Sequence, residues 1–599
     1  MLFSISNLLR RLWRAIDISR RVVLNALFVL LAASILLAAF TDRTPQIPRA
    51  SVLRIDLAGP LVEETPEPTG VERLLLHLAP HIVQPAAIRV TDVVRVLRAA
   101  AHDPRIALVE IQTSGVETDL AKLHTLAQEI RLLRQSGKPV WTHSDLYTQA
   151  AYLVAAACDR VSLHPLGAVL LTGFGFYPLH FKKLLDDLRI DVTLLRAGTY
   201  KSAAEPLVRD SMSEETRAAT RAWLDTLWRA FRMDIAQSRN IPAETVHRYA
   251  QDLDRLVLDA NGDAALLARR QHLVDAVETY DAFQTAMAKH LGHEDPAELS
   301  KVSLEEYAAT LPARTPTKDA VAVVRAQGAI VPEADGTDAI AADALVERLQ
   351  RAASDPRTRA LVLRLDSPGG SAAAAEDIRS ALARIRDTGM PVVVSFGAMG
   401  ASGAYWIATA ATRILAEPMT LTGSIGVFAT IPNLTRTAQH LGVTSDGVGT
   451  TELADQTNPL RPLSARTTAA LEANLQHTYR RFQSLVAQAR GFEAGTISRL
   501  AQGQVWTGEA AKAQHLVDAV GGEDLAVTMA ASLAGVPDAP ALEFRPEPQP
   551  IDLLATLVPD RVFAPAFRLL APLSPLAHTL AHGGIFAWAV ELTTGWTTN

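Results

Sequence analysis

Cysteine is almost absent. Cys158 is the only one in 599 residues, which excludes an internal disulfide. It closes Leu153-Val-Ala-Ala-Ala-Cys158 and reads as a small buried hydrophobe. Metal-ligand spacing is absent too. His290 and His293 lie three positions apart, and His578 and His582 one helical turn apart, but no carboxylate or cysteine cluster accompanies either pair. No metal is therefore expected. Beyond residue 21 there is no lysine- or arginine-rich cluster, and a net charge of −6 is mild for this length. Nucleic acid is not an expected partner.

What the chain does contain is a duplication. Asp103-Pro104-Arg105 recurs as Asp355-Pro356-Arg357. Ala151-Tyr152, followed by Pro165 and Thr172-Gly173, recurs as Ala404-Tyr405, followed by Pro418 and Thr422-Gly423. His272-Leu-Val-Asp-Ala-Val277 recurs letter for letter at 515–520. The chain is too long for a single core, and the repeat predicts two similar domains. The copies differ where chemistry is expected. Lys201 falls opposite Glu452, and Ser402 falls opposite Gln149.

At the amino terminus, Val22 to Phe40 is a run of nineteen residues, apolar except for Asn25 and Ser34. Arg10, Arg11, Arg14, Arg20 and Arg21 precede it. At about 1.5 Å per residue it just crosses a hydrocarbon core of about 30 Å. The arginines are expected to stay cytoplasmic, which sends the rest of the chain across the membrane. The rival is a cleaved secretory signal, disfavoured by the long apolar run and the long charged segment before it. Both readings export the body of the protein.

Residues 43–313 read as the first repeat and 314–536 as the second, with a junction at Arg314–Asp319 and a linker at 42–49. In the first, Val52–Leu57, Ile106–Ile111 and Pro139–Thr142 read as strands and Ala121–Leu133 as a helix. In the second, Val321–Val324, Ala360–Leu365 and Pro391–Phe396 read as strands, with helices over Ala344–Ala353 and Ala373–Ile385. Strands alternating with helices imply crossover units and an α/β class. Ser213 and Ser464 each cap a long amphipathic helix whose aromatic stripe reads as packing. Residues 537–599 are proline-dense through residue 575 and end near an apolar patch, Gly583–Val590, too short to span a bilayer.

Three segments are candidates for chemistry. Leu361 to Ser371 runs from a strand through Asp366-Ser-Pro-Gly-Gly370 into a helix. Such a turn exposes N–H groups where negative charge is favoured, a suitable oxyanion site, although an ordinary strand-to-helix turn has the same outline. The first copy has Gln112-Thr-Ser-Gly115 there. Ser402 follows a strand among small residues that leave its hydroxyl reachable; a helix cap is the plainer reading. A serine needs a base, and no histidine lies in these segments. A lysine serves when burial keeps it neutral, and lowering its pKa from ~10.4 to ~7.5 corresponds to roughly 4 kcal/mol. Lys201 sits among small residues at a strand-to-helix transition, although a lone lysine is usually a surface charge.

Together these segments resemble the signal peptide peptidase A family in its long form, protease IV, a Clp/crotonase-superfamily serine protease. The matching strings are Gly-Thr-Tyr-Lys-Ser-Ala at 198–203, Asp-Ser-Pro-Gly-Gly-Ser at 366–371, Ala-Ser-Gly-Ala-Tyr-Trp at 401–406, Leu-Thr-Gly-Ser-Ile-Gly at 421–426 and Val-Trp-Thr-Gly at 505–508. The resemblance implies tandem Clp/crotonase-like domains behind an N-terminal transmembrane helix, with no cofactor. It makes Ser402 the nucleophile, Lys201 the general base, Gly370 an oxyanion N–H donor and Ser424 the residue that orients Lys201. It implies degradation of signal peptides and other extended peptides by a homotetramer, held in the bacterial inner membrane with its catalytic domains in the periplasm. Ala404 stands where the family pattern leads one to expect glycine, a change that removes no catalytic group. Two rivals are a crotonase-type acyl-CoA enzyme, which needs neither the Ser-Lys pair nor export, and an inactive scaffold that binds membrane partners.

Overall fold

The computed structural model describes residues 46–65, 87–312, 316, 318–333 and 339–546, with the helical positions 20, 21 and 25. Residues 47–66 and 87–545 form one compact unit, to which everything below belongs. The anchor expected at Val22–Phe40 falls, apart from Asn25, outside the described residues, as does the apolar patch at 583–590. Among the described residues no helix is long and apolar enough to cross a membrane.

Two sheets repeat each other strand for strand. The first runs Lys301–Ser303, Ser51–Asp56, Ile106–Gln112, Val140–Tyr147, Arg160–Val169, Ala276–Val277, with every neighbouring pair parallel. The second runs Ala541–Glu543, Ala320–Gln327, Thr358–Ser367, Val392–Ala401, Arg413–Ala416, Ala519–Val520, again all parallel. Leu421–Gly423 continues it beside Val392–Ala401 and carries Val505–Thr507 antiparallel at the edge. The near-continuous apolar runs, such as Leu361–Leu363 and Val392–Val394, are what a parallel sheet covered on both faces requires. Helices Val90–His102 and Leu120–Gln135 cover the first sheet, and Ala342–Ser354 and Ala372–Asp387 the second. The second sheet takes its edge strand from Ala541–Glu543, past the point where composition turns proline-rich.

The long helices tie the halves together. Ser213 caps Glu214–Arg239 by accepting from the Thr216 N–H, and Ser464 caps Ala465–Arg490 in the same way from Thr467. Trp223 and Leu227 pack on Met419 and Leu421 of the second half. Leu475 packs on Leu195 and Ala197 of the first. The aromatic stripe is therefore partly inter-half packing, and each fully buried side chain of this size contributes about 1.5–3 kcal/mol.

Candidate active site

A strand from each half joins in an antiparallel pair: Asp191–Ala197 with Val427–Asn433, Ala197 opposite Val427. Lys201 lies just after the first strand and Ser424 just before the second, so the pairing carries both to one place. The loop before Val505 locks them there. Tyr200 N–H donates to Gln502 O at 2.7 Å, Gly503 N–H to Ile425 O at 2.8 Å, and Ser424 N–H to Gln504 O at 2.8 Å. A side chain at Gly503 would bring a Cβ within 2.6 Å of the Lys201 amide nitrogen, so only glycine allows this approach.

Lys201 is 5% exposed, and its amine meets three oxygens. Nζ lies 3.0 Å from Ser402 Oγ, 2.9 Å from Ser424 Oγ and 2.9 Å from Ser424 O. A carbonyl can only accept, so one N–H is committed to Ser424 O. In the neutral amine a second N–H reaches Ser424 Oγ, which leaves the lone pair for the Ser402 hydroxyl proton. Burial alone pulls the lysine pKa down from 10.5 to about 7, and among the described residues no carboxylate stands beside it to restore the charge.

Ser402 stands at the N-cap position of the short helix Gly403–Ala408 without its hydroxyl capping it, at φ 54°, ψ −114°, a backbone region that side-chain-bearing residues rarely adopt. Such a conformation costs on the order of 1–3 kcal/mol and turns the hydroxyl out of the strand end toward Lys201. The Asp366-to-Gly370 turn packs against it. A Cβ on Gly369 would stand 2.7 Å from both Ser402 Cβ and Gly403 N, and one on Gly403 would stand 3.2 Å from Gly370 N. Ile330 donates to Gly369 O at 2.8 Å and accepts from Ser371 N–H at 2.8 Å, so the intervening Gly370 N–H points away from Ile330. Gly403 N–H opens a helix and lacks an intrahelical partner. Two backbone donors, Gly370 and Gly403, therefore sit together beside Ser402 Oγ and can receive an oxyanion.

The structure thus brings together all four residues singled out from sequence: Ser402, Lys201, Ser424 and Gly370. Gly403 was missed, although its place directly after a candidate nucleophilic serine at a helix start was a readable signal. Among the described residues the first half has no equivalent opening. Gln149, buried where Ser402 has its counterpart, accepts from Thr172 N–H at 3.1 Å and Gly173 N–H at 2.8 Å, and donates to Gly173 O at 3.1 Å. Its amide fills the slot. Glu452, the counterpart of Lys201, is exposed beside Arg466.

Residues 132–294 and 384–537 match the model of Peptidase family S49. The Protease 4 of Salmonella typhi is 34% identical over 588 residues, 96% of this chain and 94% of that protein. The chain belongs to peptidase family S49. The Protease 4 of Haemophilus influenzae is 32% identical across 87% of this chain and 86% of its own length. The chloroplastic serine protease SPPA of Arabidopsis thaliana is 27% identical across 73% of this chain and 64% of its own length. The S49 peptidase described here is a serine protease, and its two matched segments fall one on each half. Lys201 lies in the first segment, Ser402 and Ser424 in the second.

Proposed function

We propose that this S49 peptidase is a Ser-Lys dyad endopeptidase that degrades signal peptides left by protein export. In this reading Ser402 is the nucleophile and Lys201 the general base, Ser424 orients the lysine, and Gly370 and Gly403 supply the oxyanion donors. The chain is anchored in the bacterial inner membrane through residues 22–40, works in the periplasm and assembles as a homotetramer. The observation that supports the dyad best is a buried, acid-shifted amine 3.0 Å from a strained serine. The signal-peptide substrate and the anchor rest on the five sequence motifs and the arginine-flanked apolar run.

The cycle begins with neutral Lys201. It takes the Ser402 proton as Oγ attacks a peptide carbonyl, and the oxyanion forms against the Gly370 and Gly403 N–H groups. The resulting ammonium protonates the leaving amine. Water, deprotonated by Lys201, then hydrolyses the acyl-enzyme. The substrate binds extended, pairing its backbone with a strand edge.

Detergent-solubilised full-length protein is expected to cut synthetic signal peptides within their apolar cores, read by mass spectrometry. A fluorophosphonate probe is expected to label the wild type and not Ser402→Ala. Uncut peptides together with an unlabelled wild type would support the scaffold reading instead.

The pH profile follows from the base. With its pKa near 7, the lysine is protonated below that value. kcat/KM is expected to fall about tenfold per pH unit on the acid side and to level off above about pH 8. A profile flat across about pH 6 to 9 would remove the lysine as base.

A further inference from the structure

Among the described residues Lys122 is the most deeply buried cation outside the dyad, 1% exposed, and it stands in an unfavourable place. It occupies the first turn of Leu120–Gln135, capped by Asp119, where the helix dipole disfavours positive charge. The matching position of the second half, three residues after the capping Ser371, is Ala374. The lysine is therefore peculiar to one half, and its partners lie partly in the other. Nζ donates to Asp119 Oδ2 at 2.5 Å and to Asp366 Oδ2 at 2.7 Å, with Glu63 Oε1 at 3.9 Å. Glu63 is held in turn by Arg364 at 2.7 Å. Arg364 also pairs with Glu417, and it donates to Phe396 O at 2.7 Å and Ser395 Oγ at 3.0 Å.

Asp366 sits where two strands part. Leu365 pairs with Phe396, but Ser367 pairs with Gly400, so Gly397, Ala398 and Met399 together face Asp366. Such a bulge re-aims the strand that carries it and leaves an amide without a ladder partner. Asp366 Oδ1 supplies that partner, accepting from Met399 N–H at 2.9 Å. A Cβ on Gly397 would stand 2.8 Å from Asp366 Cβ, so the carboxylate is wedged into the bulge. One strand continues from Asp366 to Gly370. The other continues from Met399 to Ser402. A single carboxylate thus grips both arms of the site, and a lysine from the other half grips the carboxylate.

We propose that Lys122 and Asp366 are positioning residues: their ion pair fixes the bulge and so sets the place of Ser402 Oγ relative to the Gly370 and Gly403 N–H groups. This rests on the reading of Ser402 as nucleophile. Their hydrogen bonds go to one another, to Asp119 and to the bulge. A displaced nucleophile affects the chemical step while the peptide-binding edge stays intact, so kcat changes and KM does not.

The test compares wild type, Lys122→Met and Lys122→Arg, all full length, with active sites titrated by a fluorophosphonate so that rates refer to folded sites. Lys122→Met is expected to lower kcat per titrated site about tenfold or more, with KM within about threefold, and Lys122→Arg to recover most of the loss. Wild-type kcat per site in Lys122→Met would overturn the proposal. Equal losses with methionine and arginine would do so as well, because arginine restores the charge. Where Lys122→Met leaves too little folded protein, Lys122→Met/Asp366→Asn removes the stranded buried charge. It is expected to fold and still to show the kcat deficit; wild-type kcat per site there would sink the idea. Ser402→Ala is run alongside. Labelling that survives in that variant refutes the nucleophile assignment itself, a failure separate from that of the bulge.

Discussion

Replacing Lys201 with methionine is expected to lower kcat/KM by roughly 10²–10⁴-fold while making the folded protein more stable. The loss follows from the geometry. The lone pair 3.0 Å from Ser402 Oγ has no substitute, since the nearby Ser424 hydroxyl accepts from the amine and is too weak a base, and no other base reaches the hydroxyl among the described residues. The gain follows from burial. The unfolded lysine titrates near 10.5 and the folded one near 7. Between those values the unfolded chain holds the extra proton, so stability rises with pH through this window and is lowest below pH 7. The shift corresponds to on the order of 5 kcal/mol of penalty on the charged form. Methionine fills the same space without a charge to strip of water. Differential scanning calorimetry at pH 6 should show a higher Tm for the variant, and peptide assays should show the rate loss. The double variant with Ser402→Ala should be no slower than Ser402→Ala alone, because the two side chains act as a unit. A Tm that drops, or turnover within about tenfold of wild type, would contradict the assignment.

Gly370→Ala is expected to reduce kcat by roughly 10²–10³-fold with a smaller change in KM. A Cβ there would collide with the Ile330 carbonyl, and the φ of 155° lies where side chains strain the backbone. The turn must shift, and the N–H aimed beside Ser402 shifts with it. The rate of fluorophosphonate labelling should fall in parallel, because a phosphonyl oxygen needs the same donors. Gly495→Ala is the control: its surroundings are open and its backbone helical, so activity should stay within about twofold. Equal effects from both substitutions would mean that the anion donors lie elsewhere.

Much of this architecture was legible in the residues. The duplicated Asp-Pro-Arg turns and the recurring His-Leu-Val-Asp-Ala-Val marked equivalent corners of two sheets. The apolar runs at Val321–Val324, Ala360–Leu365 and Pro391–Phe396 placed central strands, which run on to Gln327, Ser367 and Ala401; polar Arg364 and Ser395 within them are buried by pairing with one another. The short edge strands, such as Ala541–Glu543, carried no pattern; three residues acquire strand geometry only from a neighbour. Lys201 and Ser402 were found by comparing the halves and by the motifs. What the sequence hid was long-range. Nothing in the letters around Lys122 points to Asp366, 244 positions away, and a lysine in a helical first turn reads as solvated. The antiparallel pair that joins Asp191–Ala197 to Val427–Asn433 was equally hidden, since strand partners are chosen by the folded surface and not by local composition.

That pairing has a consequence for the newborn chain. The lysine leaves the ribosome 201 residues ahead of the serine, a delay of roughly 10–40 s at ordinary synthesis rates. Until the later strand arrives to dock, the amine has no alcohol to activate. On the proposed dyad reading, a chain that still lacks its second half therefore holds only one of the two groups the reaction needs.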